Sequence, residues 1–248
     1  MNSLFVRPDI FKAFPEVVAV QSTRHGGVSD APFSSLNLSY STGDTPESVR
    51  QNRRRFFGGL GITEDAVVSS VQVHGDQILH ASKGGHYDGY DAFITDQKQL
   101  FLSVSIADCV PILIYDPTHQ AVAAVHAGWR GTVEQIVGKT ILAMQEKFGT
   151  LPEACAAYIG TAIAGEDYQV GEEVACHFDP AHTRKEDAPG KFLLDLKAAN
   201  RDQLRIAGLR DNQVEVSPFS TYQYHQDFFS YRQSGGKTGR MMAVIGIQ

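Results

Sequence analysis

Cys109 and His126 are the residues of this 248-residue chain whose types and spacing most clearly suit chemistry. Each stands at the end of a short apolar run, residues 110–115 after the cysteine and residues 121–125 before the histidine. The polar residues between the runs predict a turn, so the two runs are interpreted as buried strands of a hairpin. In an antiparallel hairpin the start of one strand meets the end of the other. The pattern therefore predicts a thiol and an imidazole side by side.

His74 is a third candidate, because it follows the apolar, β-branched stretch at residues 67–73. Spacing alone does not bring it to the other two. Two imidazoles and a thiolate are a donor set that suits catalytic zinc with one position left open, and copper would also bind such a set. Without a metal, Cys109 could act as a nucleophile with His126 as its base. The plainest alternative is a buried cysteine near two unrelated histidines.

Gly128 and Arg130 lie in a short turn directly after the second strand. Thr132 and Gln135 have the spacing of a capping box, which predicts a helix with its apolar face over residues 133–148. Unpaired backbone N–H groups at such a turn could bind a phosphate or a carboxylate, although an ordinary connection between a strand and a helix has the same pattern.

Two more arginines are candidates for binding an anion. Arg24 lies on a polar glycine loop at residues 23–29, and Arg53 lies on a helix predicted over residues 46–58. A planar guanidinium suits phosphate and carboxylate groups, but both arginines could equally be ordinary surface charges.

The composition limits the classes of protein to consider. The formal net charge of -6 and a pI near 5.8 argue against a nucleic-acid or membrane-surface binder. Three cysteines are too few for a disulfide framework, and charges interrupt residues 1–20, so we expect a cytoplasmic protein without a secretion signal. No apolar run is long enough to span a bilayer. None of the nine histidines has another two positions away, which argues against the trinuclear copper cluster of a laccase.

Periodicity predicts a mixture of strands and helices, and therefore an α/β or α+β sandwich with helices outside. We find no linker or repeat, so residues 1–248 are expected to form one domain. Further strands are predicted at residues 17–22, 67–73, 91–95, 100–106, 214–216 and 241–247. Further helices are predicted at residues 172–178 and 195–207.

At these residues the chain resembles the family named for YfiH and the laccase-domain protein, once described as polyphenol oxidase and now as purine nucleoside phosphorylase. The resemblance covers nearly the whole chain. Its markers, in chain order, are STRHGGVS at 22–29, LNLS at 36–39, GD at 43–44, NRR at 52–54, QVHG at 72–75, ADCVP at 107–111, HAGWRG at 126–131, YQVG at 168–171, FFSYR at 228–232 and TGR at 238–240.

The resemblance implies a single-domain layered α/β/β/α sandwich with mixed sheets. It implies that His74, Cys109 and His126 bind one metal, usually zinc, and that the protein phosphorolyses adenosine, inosine, guanosine and methylthioadenosine and deaminates adenosine. Purine nucleoside and phosphate are then the expected partners, in a monomer or weak homo-oligomer. Some members of the family are linked instead to editing of cell-wall precursors.

Other residues of these motifs receive secondary roles. Asp108 beside Cys109 is a candidate catalytic group that transfers protons or supports a ligand. Gln72 in the QVHG motif, with Gly128 and Arg130 in the HAGWRG motif, is a candidate for binding substrate. The chain departs from the common family pattern at residues 159–165, and at Ser220 and Gln233, which leaves substrate preference open.

Three functions are weighed. A zinc-dependent purine nucleoside phosphorylase with adenosine deaminase activity is preferred. The alternatives are a cysteine-type hydrolase or amidase that edits cell-wall peptide precursors, and a non-catalytic protein with a structural metal. A copper-dependent polyphenol oxidase is disfavoured because no His-x-His pair is present.

Overall fold

The computed structural model describes residues 3–248, so Met1 and Asn2, which fall within the predicted domain, lie outside the described residues. The described residues form fifteen strands and five α-helices. Strands β1 to β15 are, in chain order, Phe5–Val6, Val17–Ser22, Val67–Val71, Ile78–His80, Gly85–Asp88, Ala92–Thr95, Phe101–Ile106, Val110–Asp116, Ala121–Ala127, Ala156–Ile159, Gln169–Gly171, Thr183–Lys185, Lys191–Leu194, Val214–Val216 and Met241–Ile247. Helices α1 to α5 are Pro46–Leu60, Trp129–Val133, Ile136–Phe148, Glu172–Ala175 and Leu196–Ile206.

Most strands belong to two six-stranded sheets. The first sheet has the order β1-β2-β15-β7-β3-β5, and the second has the order β14-β10-β8-β9-β6-β4. Both sheets are mixed, because β3 runs parallel to β7 in the first and β10 runs parallel to β14 in the second, whereas most other neighbours are antiparallel. Strands β11, β13 and β12 form a small third sheet.

The long central strands are buried on both faces, which explains why their sequences are almost continuously apolar. In β2, Val17 and Ala19 pack in the cluster between the two large sheets, whereas Val18 and Val20 pack with Phe56 on the outer side of the first sheet. Successive side chains of a strand point to opposite faces, so each apolar strand serves two layers at once.

Helices complete the two outer layers. Phe56, Phe57 and Leu60 of α1 cover the first sheet. Ile136 of α3 and Leu204 of α5 belong to the cluster that covers the outer face of the second sheet. The layers therefore run α/β/β/α, with helices outside, and the predicted fold class is confirmed.

The helix predicted from a capping box at Thr132 and Gln135 is wrong at its start. Thr132 lies inside α2, where its hydroxyl donates to Gly128 O at 2.9 Å, so it caps nothing. Gln135 adopts a left-handed φ of 62° and makes no side-chain cap. The chain therefore breaks between α2 and α3 instead of forming one helix.

Several other predicted boundaries shift by one to three residues, and β9 runs two residues past its predicted end, to Ala127. The strand predicted over residues 67–73 ends at Val71, because the next residues turn away from the sheet. The helix predicted over residues 172–178 is confined to Glu172–Ala175. Helix α1 runs two residues past its predicted end, to Leu60, where Gly61 adopts a left-handed φ of 71°. No helix within residues 3–248 is long and apolar enough to cross a membrane.

Candidate metal centre

The hairpin of β8 and β9 brings Cys109 and His126 together, as the sequence predicts, although His126 lies within β9 and not after its end. Val110 pairs with Ala127, and Pro111 pairs with His126. Cys109 precedes β8 by one residue and so faces the point where the chain leaves β9 towards Gly128. The thiol and the imidazole therefore lie at the open end of the hairpin, in the second sheet.

His74 reaches the same point from the first sheet, on the loop after β3. The ligand atoms of His74, Cys109 and His126 all lie within 4.8 Å of one another. The two imidazole rings are 4.8 Å apart between centroids and nearly perpendicular, at 79°. The cluster thus joins the two large sheets, and the convergence of the three side chains is as the resemblance implies.

Asp91 binds the ring of His126 and the backbone of His74, although the sequence predicts only a strand there. Its carboxylate is fully buried and accepts a hydrogen bond of 2.7 Å from Nδ1 of His126. It also accepts backbone N–H bonds from Val73 and His74 at 3.1 Å and from Gly75 at 2.8 Å. A lone carboxylate at the start of an otherwise apolar strand was the signal in the sequence, since buried charges need partners.

The loop carrying His74 depends on that carboxylate. His74 adopts a left-handed φ of 60°, a conformation that side chains with a Cβ rarely take. Three successive N–H groups directed at one carboxylate hold the loop in this shape. Asp91 therefore fixes the backbone of one histidine and the ring of the other.

Gly128 lies against the cluster. A Cβ at this position would stand 3.0 Å from Cδ2 of His74 and 3.2 Å from Sγ of Cys109. Both distances are shorter than ordinary contacts, so only glycine leaves the two ligands undisturbed. Gly128 is thus the predicted substrate-binding residue that lies in direct contact with the cluster.

The negative charge of Cys109 and the positive charge of His126 stabilise each other. Burial raises the pKa of the Cys109 thiol, but the charge of His126 and hydrogen bonds from His126 and His74 outweigh this and lower the pKa to about 6. Burial lowers the pKa of His126, but the charge of Cys109 and the bond to Asp91 raise it to about 9. The cluster therefore favours a thiolate beside a protonated imidazole.

The donor set fits a zinc or copper ion. A thiolate and two imidazoles are common ligands of both metals, with zinc bonds of about 2.0 to 2.3 Å. The bond from Nδ1 of His126 to Asp91 leaves Nε2 as the nitrogen available to a metal, in the arrangement often seen for histidine ligands. His74 is exposed and Cys109 is partly exposed, so the cluster opens to solvent on one side.

Asp108, the predicted catalytic neighbour of Cys109, has both carboxylate oxygens engaged. Oδ1 accepts from the Thr221 hydroxyl at 2.6 Å, and Oδ2 accepts from the backbone N–H of Arg232 at 2.7 Å. Its backbone carbonyl accepts from Ile163 N at 3.0 Å. Asp108, which directly precedes Cys109, is therefore bonded to three distant positions of the chain, Ile163, Thr221 and Arg232.

Gln72 holds the start of the His74 loop. Its amide donates to Ser105 O at 2.9 Å, and its Oε1 accepts from Ser105 N at 2.7 Å. These two side-chain bonds attach the residue after β3 to Ser105 of β7. The contacts of Gln72 place it in support of the loop, and its role in binding substrate stays a prediction.

Arg24 and Arg53 lie apart from the cluster. Arg24 donates to Ser34 O through Nε and Nη2 and to His225 O through Nη1. It lines a shallow depression of about 350 Å³ whose lining residues include none of the cluster. Arg53 is buried, with Nε paired to Glu64 at 2.5 Å and Nη1 donating to Leu38 O. These contacts use their donors within the fold, so anion binding by either arginine stays a prediction.

Arg130 is exposed and lies 4.7 Å from the centroid of the Trp129 ring. Its charge also acts on Tyr168. Burial raises the pKa of Tyr168 to about 12, the charges of Cys109 and Asp108 add to this, and the charges of Arg232 and Arg130 oppose it. Tyr168 therefore lies within electrostatic reach of both the cluster and the arginines on the solvent side of it.

The chain matches the family model described as multi-copper polyphenol oxidoreductase laccase over residues 18–248. Among curated proteins it is 41% identical over 228 residues to a purine nucleoside phosphorylase of Deinococcus radiodurans, covering 91% of this chain and 87% of that protein. It is 39% identical over 242 residues to a purine nucleoside phosphorylase of Bacteroides thetaiotaomicron, covering 91% and 90%.

A solved structure gives the same relationship. The crystal structure of the Bacillus licheniformis hypothetical protein YfiH superposes with a TM-score of 0.92 at 31% sequence identity, covering 96% of this chain and 95% of that chain.

Proposed function

The chain belongs to the family described as multi-copper polyphenol oxidoreductase laccase, and from that premise we propose that it is a zinc-dependent purine nucleoside phosphorylase. Adenosine, inosine, guanosine and methylthioadenosine are the proposed substrates, with adenosine deamination as a second activity. The observation that carries the proposal is the convergence of His74, Cys109 and His126 within 4.8 Å. The names of relatives at 39–41% identity support the reaction.

His74, Cys109 and His126 would hold the metal, and Asp91 would orient two of them. Zinc bound by three protein ligands supplies a Lewis acid and, through a bound water, a hydroxide near neutral pH. An arrangement with three ligands from protein and one open position suits a catalytic ion better than a closed structural one. The exposure of His74 supports access from solvent on that side.

Phosphorolysis makes three demands on the protein. A phosphate oxygen forms a bond to C1′ of the ribose while the bond from C1′ to the purine nitrogen breaks, and the departing purine takes the electron pair and then a proton. The protein must therefore hold a dianion, stabilise positive charge on the sugar and supply a proton to the base. Arg130 and the backbone of the Gly128 turn are the proposed contacts beside the cluster.

The decisive experiment combines metal analysis with release of base. We expect about one zinc per chain and release of hypoxanthine from inosine that requires phosphate. His74→Ala should lose both the metal and the activity, whereas His86→Ala should keep both, because His86 is an exposed residue of β5 whose ring bonds, within residues 3–248, to Ser69 alone. Equal release of base without phosphate would contradict phosphorolysis. Conversion of adenosine to inosine without phosphate would support the deaminase activity.

A second candidate function has one specific observation in its favour. Cys109, His126 and Asp91 also stand in the order nucleophile, base and orienting carboxylate, with a lowered pKa for the thiol. A cysteine-type amidase acting on cell-wall peptide precursors would use them without a metal. Full activity on such a peptide in excess chelator, lost in Cys109→Ser, would favour this candidate over the first.

A further inference from the structure

Two pairs of arginines in this chain differ in how their donors are used. Arg24 and Arg53 each place two or more guanidinium nitrogens on oxygens of the fold. In Arg232 and Arg240 only Nη1 donates a hydrogen bond to another group of residues 3–248. Their Nε and Nη2 have no hydrogen-bond partner there. Guanidinium donors that the fold leaves unused are the groups that a ligand can take.

Arg232 is fixed in place beside the centre. Its backbone N–H donates to Oδ2 of Asp108 at 2.7 Å, and Asp108 directly precedes Cys109. Its guanidinium lies 5.1 Å from the centroid of the Tyr168 ring, while Nη1 donates to Gln169 O at 2.7 Å. One bond and one ring face therefore orient the guanidinium without using its remaining donors.

Arg240 directly precedes β15 of the first sheet. Its guanidinium lies 5.4 Å from the centroid of Tyr231, the residue before Arg232. Nη1 donates to Thr238 O at 3.0 Å and to Gly239 O at 3.1 Å, which are its own neighbours in the chain. Burial lowers the pKa of Arg240, and the charges of Tyr231, Cys109 and Asp108 raise it, so the guanidinium lies within electrostatic reach of the cluster.

The charge of Asp108 acts on Arg240, but this carboxylate forms no ion pair with either arginine. The two carboxylate oxygens of Asp108 already accept from the Thr221 hydroxyl and from the Arg232 backbone. The guanidinium groups of Arg232 and Arg240 form no ion pair with any of residues 3–248. Two held positive charges with unused donors and no partner are a site for an anion.

We propose that Arg232 and Arg240 bind the phosphate dianion that the proposed phosphorolysis consumes, at a site bordered by Asp108 and Cys109. The inference rests on the proposed function for the identity of the anion. Each guanidinium can present two parallel N–H groups to two phosphate oxygens, which is the geometry that distinguishes arginine from lysine. The aromatic rings of Tyr168 and Tyr231 hold the two groups in position before phosphate arrives.

The test measures binding of inorganic phosphate by calorimetry, on the purified protein with its own metal, together with the KM for phosphate and for inosine. Arg232→Met and Arg240→Met should each raise the Kd and the KM for phosphate at least about tenfold, with a much smaller change in the KM for inosine. Arg232→Lys and Arg240→Lys keep the charge but lose the paired donors, so they should fall between the wild type and the Met variants.

Arg54→Met is the matched control, because Arg54 is an exposed arginine on α1 and the substitution removes the same charge. It should leave phosphate binding within twofold of the wild type. Thermal unfolding of each variant separates loss of binding from loss of fold, and if a Met variant does not fold, the corresponding Lys variant supplies the result.

The outcomes separate this inference from the proposed function. Phosphate-dependent release of base with an unchanged KM for phosphate in folded Arg232 and Arg240 variants would overturn the site and leave the function standing. Phosphate binding that both Met variants weaken, in a protein that releases no base, would support the site and overturn the function. A wild-type protein that binds no phosphate would overturn the site.

Discussion

Both histidines of the candidate centre depend on one carboxylate. Oδ1 of Asp91 accepts from His74 N and from Nδ1 of His126, and Oδ2 accepts from Val73 N and Gly75 N. Burial opposes the charge of Asp91, but the bond and the charge of His126 and the backbone N–H groups outweigh it, so the pKa of Asp91 is lowered. The carboxylate therefore stays ionised and accepts from all four donors.

We expect Asp91→Asn to weaken zinc binding by about 10- to 100-fold. Asparagine replaces one oxygen with an amino group, so two N–H donors lose their acceptor whichever way the amide is turned. The His74 loop or the His126 ring is then no longer held. The affinity can be measured by competition with a chromophoric chelator, and the free energy of unfolding should also fall, by about 1 to 3 kcal/mol.

The control for this variant is Asp88→Asn, at an exposed position of β5. It removes the same charge and should change neither zinc affinity nor stability appreciably. An Asp91→Asn protein that binds zinc as tightly as the wild type would show that the histidines are positioned without this carboxylate.

The predictability of the centre differs from residue to residue. Cys109 and His126 follow from the hairpin, because the residues that bring them together are adjacent in sequence. His74 and Asp91 do not follow from spacing, since one comes from a loop of the first sheet and the other from the start of β6 in the second. Only the packing of the two sheets brings these loops together, and for His74 only the resemblance to a family supplied the placement.

At the scale of the elements, short turns were harder to predict than strands. Buried strands such as β8 and β9 can be predicted from their continuous apolar sequences. The break between α2 and α3 depends on a tertiary contact, because Gln203 of α5 donates to Thr132 O at 2.7 Å and the Thr132 hydroxyl bonds back to Gly128 O. A local capping pattern contains no information about a hydrogen bond to a residue 71 positions away.

The break makes a prediction about Gln135. It is exposed and has a φ of 62°, a left-handed conformation that costs a residue with a Cβ about 1 kcal/mol and costs glycine little. We therefore expect Gln135→Gly to raise the free energy of unfolding by up to about 1 kcal/mol, measured by urea denaturation. Glu134→Gly is the matched control, because Glu134 has an ordinary φ of -76° and the same substitution there should destabilise. Equal effects of the two substitutions would contradict the proposed cause.

Helix α5 carries a buried lysine that connects it to the loop before the aromatic segment. Nζ of Lys197 donates to Ser217 O at 3.0 Å and to Phe219 O at 2.7 Å. Burial lowers the pKa of Lys197 to about 8, although the charges of Asp195 and Asp167 oppose this. In the unfolded chain the pKa of a lysine is about 10.4.

Between pH 8 and about 10.4 the unfolded chain therefore binds more protons at Lys197 than the folded protein does. The free energy of unfolding gains a contribution as pH rises through this window, on the order of 3 kcal/mol in total, and loses it again as pH falls from about 10.4 to 8. We expect Lys197→Met to lack this contribution, so the wild type gains stability relative to the variant from pH 8 to 10.4. Urea denaturation at several pH values measures the difference in free energy of unfolding between the two proteins. The contributions of the other titrating groups cancel in this difference. Exposed Lys147→Met on α3 should follow the wild type, and parallel curves for Lys197→Met and wild type would contradict the expectation.

At the scale of the whole molecule, the candidate centre lies where the two large sheets meet, but it is not what holds them together. Three apolar clusters fill the spaces between α1, the two sheets and the outer helices α3 and α5. Apolar burial of this kind is the main source of folding free energy. His74 is exposed on a loop and Cys109 precedes β8, so His126 of β9 is the ligand that lies in a core strand.

Removal of the metal should therefore leave the fold intact. With a chelator in excess we expect an unchanged far-ultraviolet circular dichroism spectrum, a lower thermal midpoint because a ligand of the folded state has been removed, and loss of the proposed phosphorolysis. Readdition of zinc should restore both the midpoint and the activity, whereas dilution with buffer alone should not. Cooperative unfolding on chelation would instead support a structural metal, since proteins that depend on a metal for folding lose their structure with it. Because the sandwich has its own cores, only the first outcome agrees with a metal that serves chemistry at the edge of the fold.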